Sequence, residues 1–213
     1  MSRIQLPKAP TLPLAESAYE RRAKDELLRI LRIYFNQLDN VLNTLFAQGG
    51  GQYLDTPNGS FSSRTSQTVA TINTATLVTL DTTDNANGMV RLPGNGIQVL
   101  QDGVYRFLVR MQLTNTATQP QDMSIWLRKN NVDIPYTAGV VTVLGTHGGQ
   151  PGYQLVSVNV SATLIAGDYI DFWWATNDVR VQMQALPPIT TPFANPGAPS
   201  VSVAVTFVSA RPS

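Results

Sequence analysis

The sequence predicts a mainly β protein, an antiparallel two-sheet sandwich preceded by one long N-terminal α-helix. Three observations carry this. Apolar residues repeat with heptad spacing between positions 27 and 45. A glycine break, Gln48-Gly49-Gly50-Gly51-Gln52, follows. Beyond it the apolar period changes to two, and no second helical pattern appears. Four segments result: an extended Pro-rich arm at 1–15, a helix at 16–47, a linker at 48–66 and the β domain at 67–213.

The arm is punctuated by Pro7, Pro10 and Pro13, each of which turns its predecessor away from helix. Such a segment has no core of its own, so its expected use is to lie against a partner surface. Ser17 with Glu20 three residues on forms a capping box, and from there to Phe46 no Pro or Gly interrupts. That allows about 29 residues, or roughly 43 Å of helix.

Leu27, Leu31, Tyr34, Leu38, Val41 and Leu45 follow one another at steps of 4, 3, 4, 3 and 4, which is a heptad seam. Leu28, Phe35 and Leu42 form a second line beside it. The combined stripe is wider than two strands require and predicts a trimeric, coiled-coil-like stalk or packing on another surface. Charge gathers at the start of the helix, from Glu20 to Arg32, with Asp39 alone beyond it. A solvated first half with i,i+4 ion pairs explains this, and docking onto an acidic partner is the alternative.

Strands are expected at 68–73, 76–80, 97–100, 104–113, 123–129, 132–136, 140–144, 154–164, 169–175, 179–185 and 201–209, separated by Gly, Asn, Asp and Pro clusters. Asn130-Asn131 and Ala166-Gly167-Asp168 supply tight turns. The runs 201–208 and 170–174 look apolar on both faces, and a second apolar face needs a cover, most simply another copy of the chain. Neighbours in a strand point to opposite faces, so one of Trp173 and Trp174 belongs in the core and the other at an interface or rim. Phe207 in the closing strand and Phe193 in the long Pro-rich segment 186–199 are further candidate interface residues.

Composition narrows function. Only 14% of residues are charged and the net charge is +1, which argues against a generally basic nucleic-acid surface. Without cysteine there is no disulfide, thiolate metal site or cysteine nucleophile. Met1-Ser2-Arg3-Ile4-Gln5-Leu6-Pro7 has no apolar signal-peptide core, and no stretch approaches the roughly 20 apolar residues of a membrane span. The expectation is a protein made and assembled in the cytoplasm, with no membrane insertion.

Chemical motifs are sparse. His147, the sole histidine, has no Cys or acidic pair near it and reads as a loop residue. The run from Asp81 to Gly88 is rich in oxygen ligands but lacks EF-hand spacing, so a turn built on Asx chemistry is preferred over calcium. Asp168 and Asp171 read as turn and solvent-side residues, not as an acid–base pair. Neither a Gly-x-Ser-x-Gly elbow nor a phosphate loop is present. We expect no catalytic residues, no metal and no cofactor.

Four segments of the second half carry a resemblance: 97–107, with Asp102-Gly103-Val104-Tyr105-Arg106-Phe107; 123–131, with Leu127-Arg128-Lys129-Asn130-Asn131; 158–170, with Leu164-Ile165-Ala166-Gly167-Asp168-Tyr169-Ile170; and the closing apolar strand 203–208. They resemble, in order, the jelly-roll family of complement globular heads and tumour-necrosis-factor-like cytokines. The closing strand lacks that family's Phe-x-Gly, and the Pro-rich segment interrupts the last hairpin. The resemblance implies a two-sheet jelly roll that trimerises, and it carries over no receptor or complement activity.

The helix segment Leu28-Arg29-Ile30-Leu31-Arg32-Ile33-Tyr34-Phe35-Asn36-Gln37-Leu38-Asp39-Asn40 resembles a short N-terminal segment of virion proteins of short-tailed marine and cyanobacterial phages. It implies a phage virion structural protein, assembled in the host cytoplasm and bound to other virion proteins of tail or capsid. Projection from the tail makes it fibre-like, with a host receptor or glycan as partner. Projection from the shell makes it a head fibre or capsid decoration protein. A free trimeric lectin-like module is the rival reading, and an enzyme the third.

Overall fold

Strict alternation makes β7, Gly103–Asn115, the spine of the head: Tyr105, Phe107, Val109, Met111 and Leu113 are buried, while Arg106, Leu108 and Arg110 face outward. The computed structural model describes residues 10–11, 21–46, 56–94, 96–191 and 194–210. The chain divides into two units, Met1–Asp55 and Thr56–Ser213.

In the first unit α1 spans Arg21–Phe46. Leu27, Leu31, Tyr34, Leu38, Val41 and Leu45 are half-buried, whereas Leu28, Phe35 and Leu42 are exposed. The heptad line and the line beside it are thus physically distinct. Ser17 and Glu20 lie outside the described residues.

The second unit is a mainly antiparallel β structure with the strands β1 (Asn58–Ser63), β2 (Gln67–Thr68), β3 (Thr76–Leu77), β4 (Thr82–Asn87), β5 (Met89–Arg91), β6 (Ile97–Val99), β7, β8 (Gln121–Lys129), β9 (Val132–Asp133), β10 (Gly139–Val143), β11 (Gly152–Leu164), β12 (Tyr169–Thr176), β13 (Val181–Met183) and β14 (Val201–Ser209). One sheet runs β4-β1-β14-β7-β11; β13 takes up the β7 edge where β14 stops and carries β2. The other runs β10-β8-β12-β6-β5, with β9 beside β8 and β3 beside β12. Taking the eight principal strands β1, β6, β7, β8, β10, β11, β12 and β14 as first to eighth, the orders are 1-8-3-6 and 2-7-4-5. That connectivity is a jelly roll.

The two inner faces form one core, in which Phe61, Tyr105, Phe107 and Val203 of one sheet meet Ile125, Leu127, Phe172 and Trp174 of the other. Phe107 and Phe172 touch across it at 6.1 Å between ring centres. Gly103, which precedes Tyr105 by two, is required by close approach. A Cβ there would run into the Phe207 ring, and that ring packs edge-on against Tyr105 at 5.6 Å. Gly103→Ala is therefore expected to cost about 1–3 kcal/mol of head stability by overpacking, read as a shifted urea midpoint.

Several expectations need correction; among them, the strands expected at 76–80, 132–136 and 179–185 are confined to Thr76–Leu77, Val132–Asp133 and Val181–Met183. The segment 48–66 is not all linker, because β1 pairs with both β14 and β4 inside the sandwich. The Asp81 run is not a turn: Thr82–Asn87 forms the strand β4 at the sheet edge. Asp81 itself accepts hydrogen bonds from the Ser63, Thr65 and Thr82 hydroxyls and the Arg64 N–H, which pins the loop after β1. The strand expected at 68–73 ends after Thr68, ahead of a turn in which Asn73 adopts φ +54°. Finally, β14 is not continuously apolar on its second face; Val201, Val203 and Val205 are buried, while the outward positions are Ser202, Ala204 and Thr206, with Val208 exposed near the strand's end.

The turns at Asn130-Asn131 and Ala166-Gly167-Asp168 are bolted together. Asn130 and Asn131 take positive φ of 50° and 68°, and Gly167 takes 94°. Buried Asp168 accepts hydrogen bonds from the Asn130 amide at 2.7 Å and the Ile165 N–H at 2.9 Å, and pairs with Lys129 at 2.5 Å. Burial works to raise its pKa, but the Ile165, Lys129 and Asn130 contacts outweigh this and hold it below the ordinary carboxylate value. A lowered folded-state pKa means stability that is present above the unfolded pKa of about 4 and lost as pH falls through the folded value. Asp168→Asn is expected to cost about 2 kcal/mol at pH 7, with the gap to wild type closing below about pH 4. Urea titrations at both pH values check this.

Candidate functional site

The candidate surface is the β10–β11 edge of the sandwich. β11 is 13 residues long and, among the described strands, bonds only to β7, so its other side is open along its whole length. The last strand of the facing sheet, β10, has only five residues. It is too short to roof β11, and the inward row Val156, Val158, Val160 and Ala162 is consequently only half-buried. At the same edge Val140 and Leu144 are 71% and 68% exposed, and Tyr153 and Leu155 are 55% and 58% exposed.

Free strand edges are normally protected by charge, proline, a bulge or brevity. β11, Gly-Tyr-Gln-Leu-Val-Ser-Val-Asn-Val-Ser-Ala-Thr-Leu, has none of these. Its register on β7 is unbroken from Gly152↔Asn115 to Leu164↔Gly103. An unprotected edge beside a half-covered valine row can accept another chain through backbone hydrogen bonds and apolar burial together.

The residues singled out in sequence separate as follows. Leu27, Leu31, Tyr34, Leu38, Val41 and Leu45 share one face of α1, with Leu28, Phe35 and Leu42 beside it. Trp174 is fully buried and fills the core, so it has no surface to offer a partner. Trp173 lies on the opposite face, half-buried, with the Arg128 guanidinium 4.0 Å above its ring. The cover for that face of β12 thus comes largely from the same chain. Arg128 is held by Asp133 at 2.6 Å, and Asp133 also accepts from the Trp126 indole N–H at 2.8 Å.

Asp171, 4% exposed, sits on this outer face in register with Arg128, so it is not the solvent-side residue expected. Burial pushes its pKa up, with Arg128 pulling the other way. Phe207 is half-buried against Tyr105 and Gly103, so most of its ring is engaged inside the head. Phe193 lies outside the described residues. His147 stands at the corner of a tight ribbon, exchanging backbone hydrogen bonds with Gln150 around Gly148 and Gly149, both at positive φ.

Sequence reasoning did not single out the valines of β11. The signal was present as a charge-free period-two run, but only the strand order shows that the run is an edge. Among the described residues no group of three or more His, Cys, Asp or Glu gathers in a metal-binding arrangement. No helix among them is long and apolar enough to cross a membrane.

No protein-family model matches the chain, and no curated protein matches it.

Proposed function

We propose that the chain is a homotrimeric structural protein of a phage virion, attached to the particle by its N-terminal arm and helix and projecting a jelly-roll head. The observation that carries self-association is the open β11 edge with its half-covered valine row. The seam on α1 supports it independently, because a stripe of that width suits three helices. The virion assignment draws on the likeness of Leu28–Asn40 to phage virion proteins, and the same likeness favours the tail over the shell. The role is non-catalytic: the head contributes shape and surface, and the arm and helix contribute attachment.

Deleting residues 1–46 is the test. The reading expects the truncated chain to fold, with an unchanged far-ultraviolet β signal, and to be missing from purified particles. A truncated chain that still copurifies with particles contradicts attachment through the helix. A chain absent from particles even at full length points instead to the free lectin-like module.

A further inference from the structure

The two arms of the Pro-rich segment 186–199 are tied into a ribbon by reciprocal hydrogen bonds, Leu186 with Ala198 at 2.9 Å each way and Ile189 with Asn195 at 3.2 and 2.9 Å. Gly197 allows the arms to close at φ +82°, with the Leu186 carbonyl oxygen only 2.5 Å from where a Cβ would sit. The ribbon leans over the outer face of β1 and β14 and encloses a groove of about 810 Å³. That is the size range of small-ligand sites.

The groove is built in three parts. Its floor is the cross-strand pair Ser62 and Ser202. Its wall is the rigid rings of Pro187, Pro188, Pro196 and Pro199. At one side Arg64 and Asp84 stand 3.7 Å apart as the only ionisable groups lining it among the described residues. The floor and wall are pre-set: Asp81 fixes the loop carrying Arg64, and the Ala185 N–H donates to the Ser66 hydroxyl at 3.0 Å. Ser62 is 4% exposed as a residue, and what it does expose borders the groove. Its hydroxyl can therefore give and accept hydrogen bonds with a molecule in the groove.

We infer that this groove binds a neutral saccharide of one or two rings. The chemistry selects that class. Hydroxyls on the floor give and accept hydrogen bonds, as a polyol needs. The guanidinium fork and the adjacent carboxylate serve as donor and acceptor for neighbouring sugar hydroxyls. Proline rings offer apolar surface to the C–H face of a pyranose. One cation paired with one anion leaves no net charge, so an acidic sugar gains nothing from Arg64 that it does not lose to Asp84. The inference needs the head fold alone and not its place on a particle.

Saturation-transfer NMR on the full chain tests it with lactose, maltose and N,N′-diacetylchitobiose, and with 3′-sialyllactose as the anionic counterpart. At least one neutral disaccharide is expected to show transfer, weakened about tenfold in both Ser62→Ala and Arg64→Gln. A groove-filling Ser202→Phe should abolish it, with the thermal midpoint confirming that each variant folds. No transfer to any neutral disaccharide overturns the inference, as do transfer indifferent to the three substitutions and stronger transfer to the sialylated sugar. Light scattering on the same samples reports the oligomer separately, so a failed groove and a failed trimer are distinguishable.

Discussion

Trp174→Ala is expected to remove about 3–5 kcal/mol from the stability of the head, a large share of what a domain of this size possesses. Trp174 is fully buried between the sheets and is among the largest side chains in the core. Its indole N–H has no hydrogen-bond partner among the described residues. Trp174→Phe should therefore cost far less than alanine, since the smaller void is partly offset by removing an unsatisfied polar group. Trp173→Ala, on the half-covered outer face beneath Arg128, should cost about 1 kcal/mol. Urea denaturation followed by circular dichroism at one fixed protein concentration ranks the three; association makes the midpoint concentration-dependent, so the concentration must be held.

In the proposed trimer, Val158→Lys is expected to leave a folded monomer. Val158 is half-buried in the inward row of β11, opposite Val109 of β7. A lysine can lead its charge out into water while the chain is alone. Against a neighbouring copy it would have to be desolvated, at about 3 kcal/mol for each contact. Thr206→Lys, on the exposed outer face of β14 away from that edge, should leave the mass unchanged. A paired Leu31→Glu and Leu38→Glu change on the seam of α1 should weaken association by a separate route, because it places like charges along one line of the helix. Size-exclusion chromatography with light scattering distinguishes these outcomes, and a Val158→Lys chain that remains a trimer removes β11 from the interface.

Legibility in the amino-acid sequence follows the length of the alternation. β7, β8, β11, β12 and β14 were legible because long alternation on a half-buried strand leaves a period-two signal that short-range noise cannot hide. β1 and β4 were not. Asn58-Gly59-Ser60-Phe61-Ser62-Ser63 contains one large apolar residue, and Thr82–Asn87 contains none. β1 becomes a strand because β14 presents a free ladder of backbone groups, and β4 because β1 in turn does, a tertiary cause without a local signature. The oxygen-rich character of the Asp81 run reflects its real use, a carboxylate gathering the loop from Ser63 to Thr65, although the segment after it is extended.

The opposed Trp173 and Trp174 were separable from alternation alone, but what covers Trp173 was not. Arg128 comes from β8, whose register with β12 no local pattern reveals. The apparent second apolar face of β14 misled because its outward positions are Ser202, Ala204 and Thr206, leaving Val208 as the large apolar residue exposed there, near the strand's end. The groove was the least legible feature. Ser62, Arg64, Asp84 and Ser202 are brought together by the pairing of β1 with β14 and β4, and the prolines that wall it announced only that the segment was long.

Sedimentation equilibrium of the full-length chain at micromolar concentration bears most directly on the central claim. Self-association through the β11 edge and the α1 seam predicts a single species of three times the 23.2 kDa chain mass. A stable monomer at 23.2 kDa would contradict it.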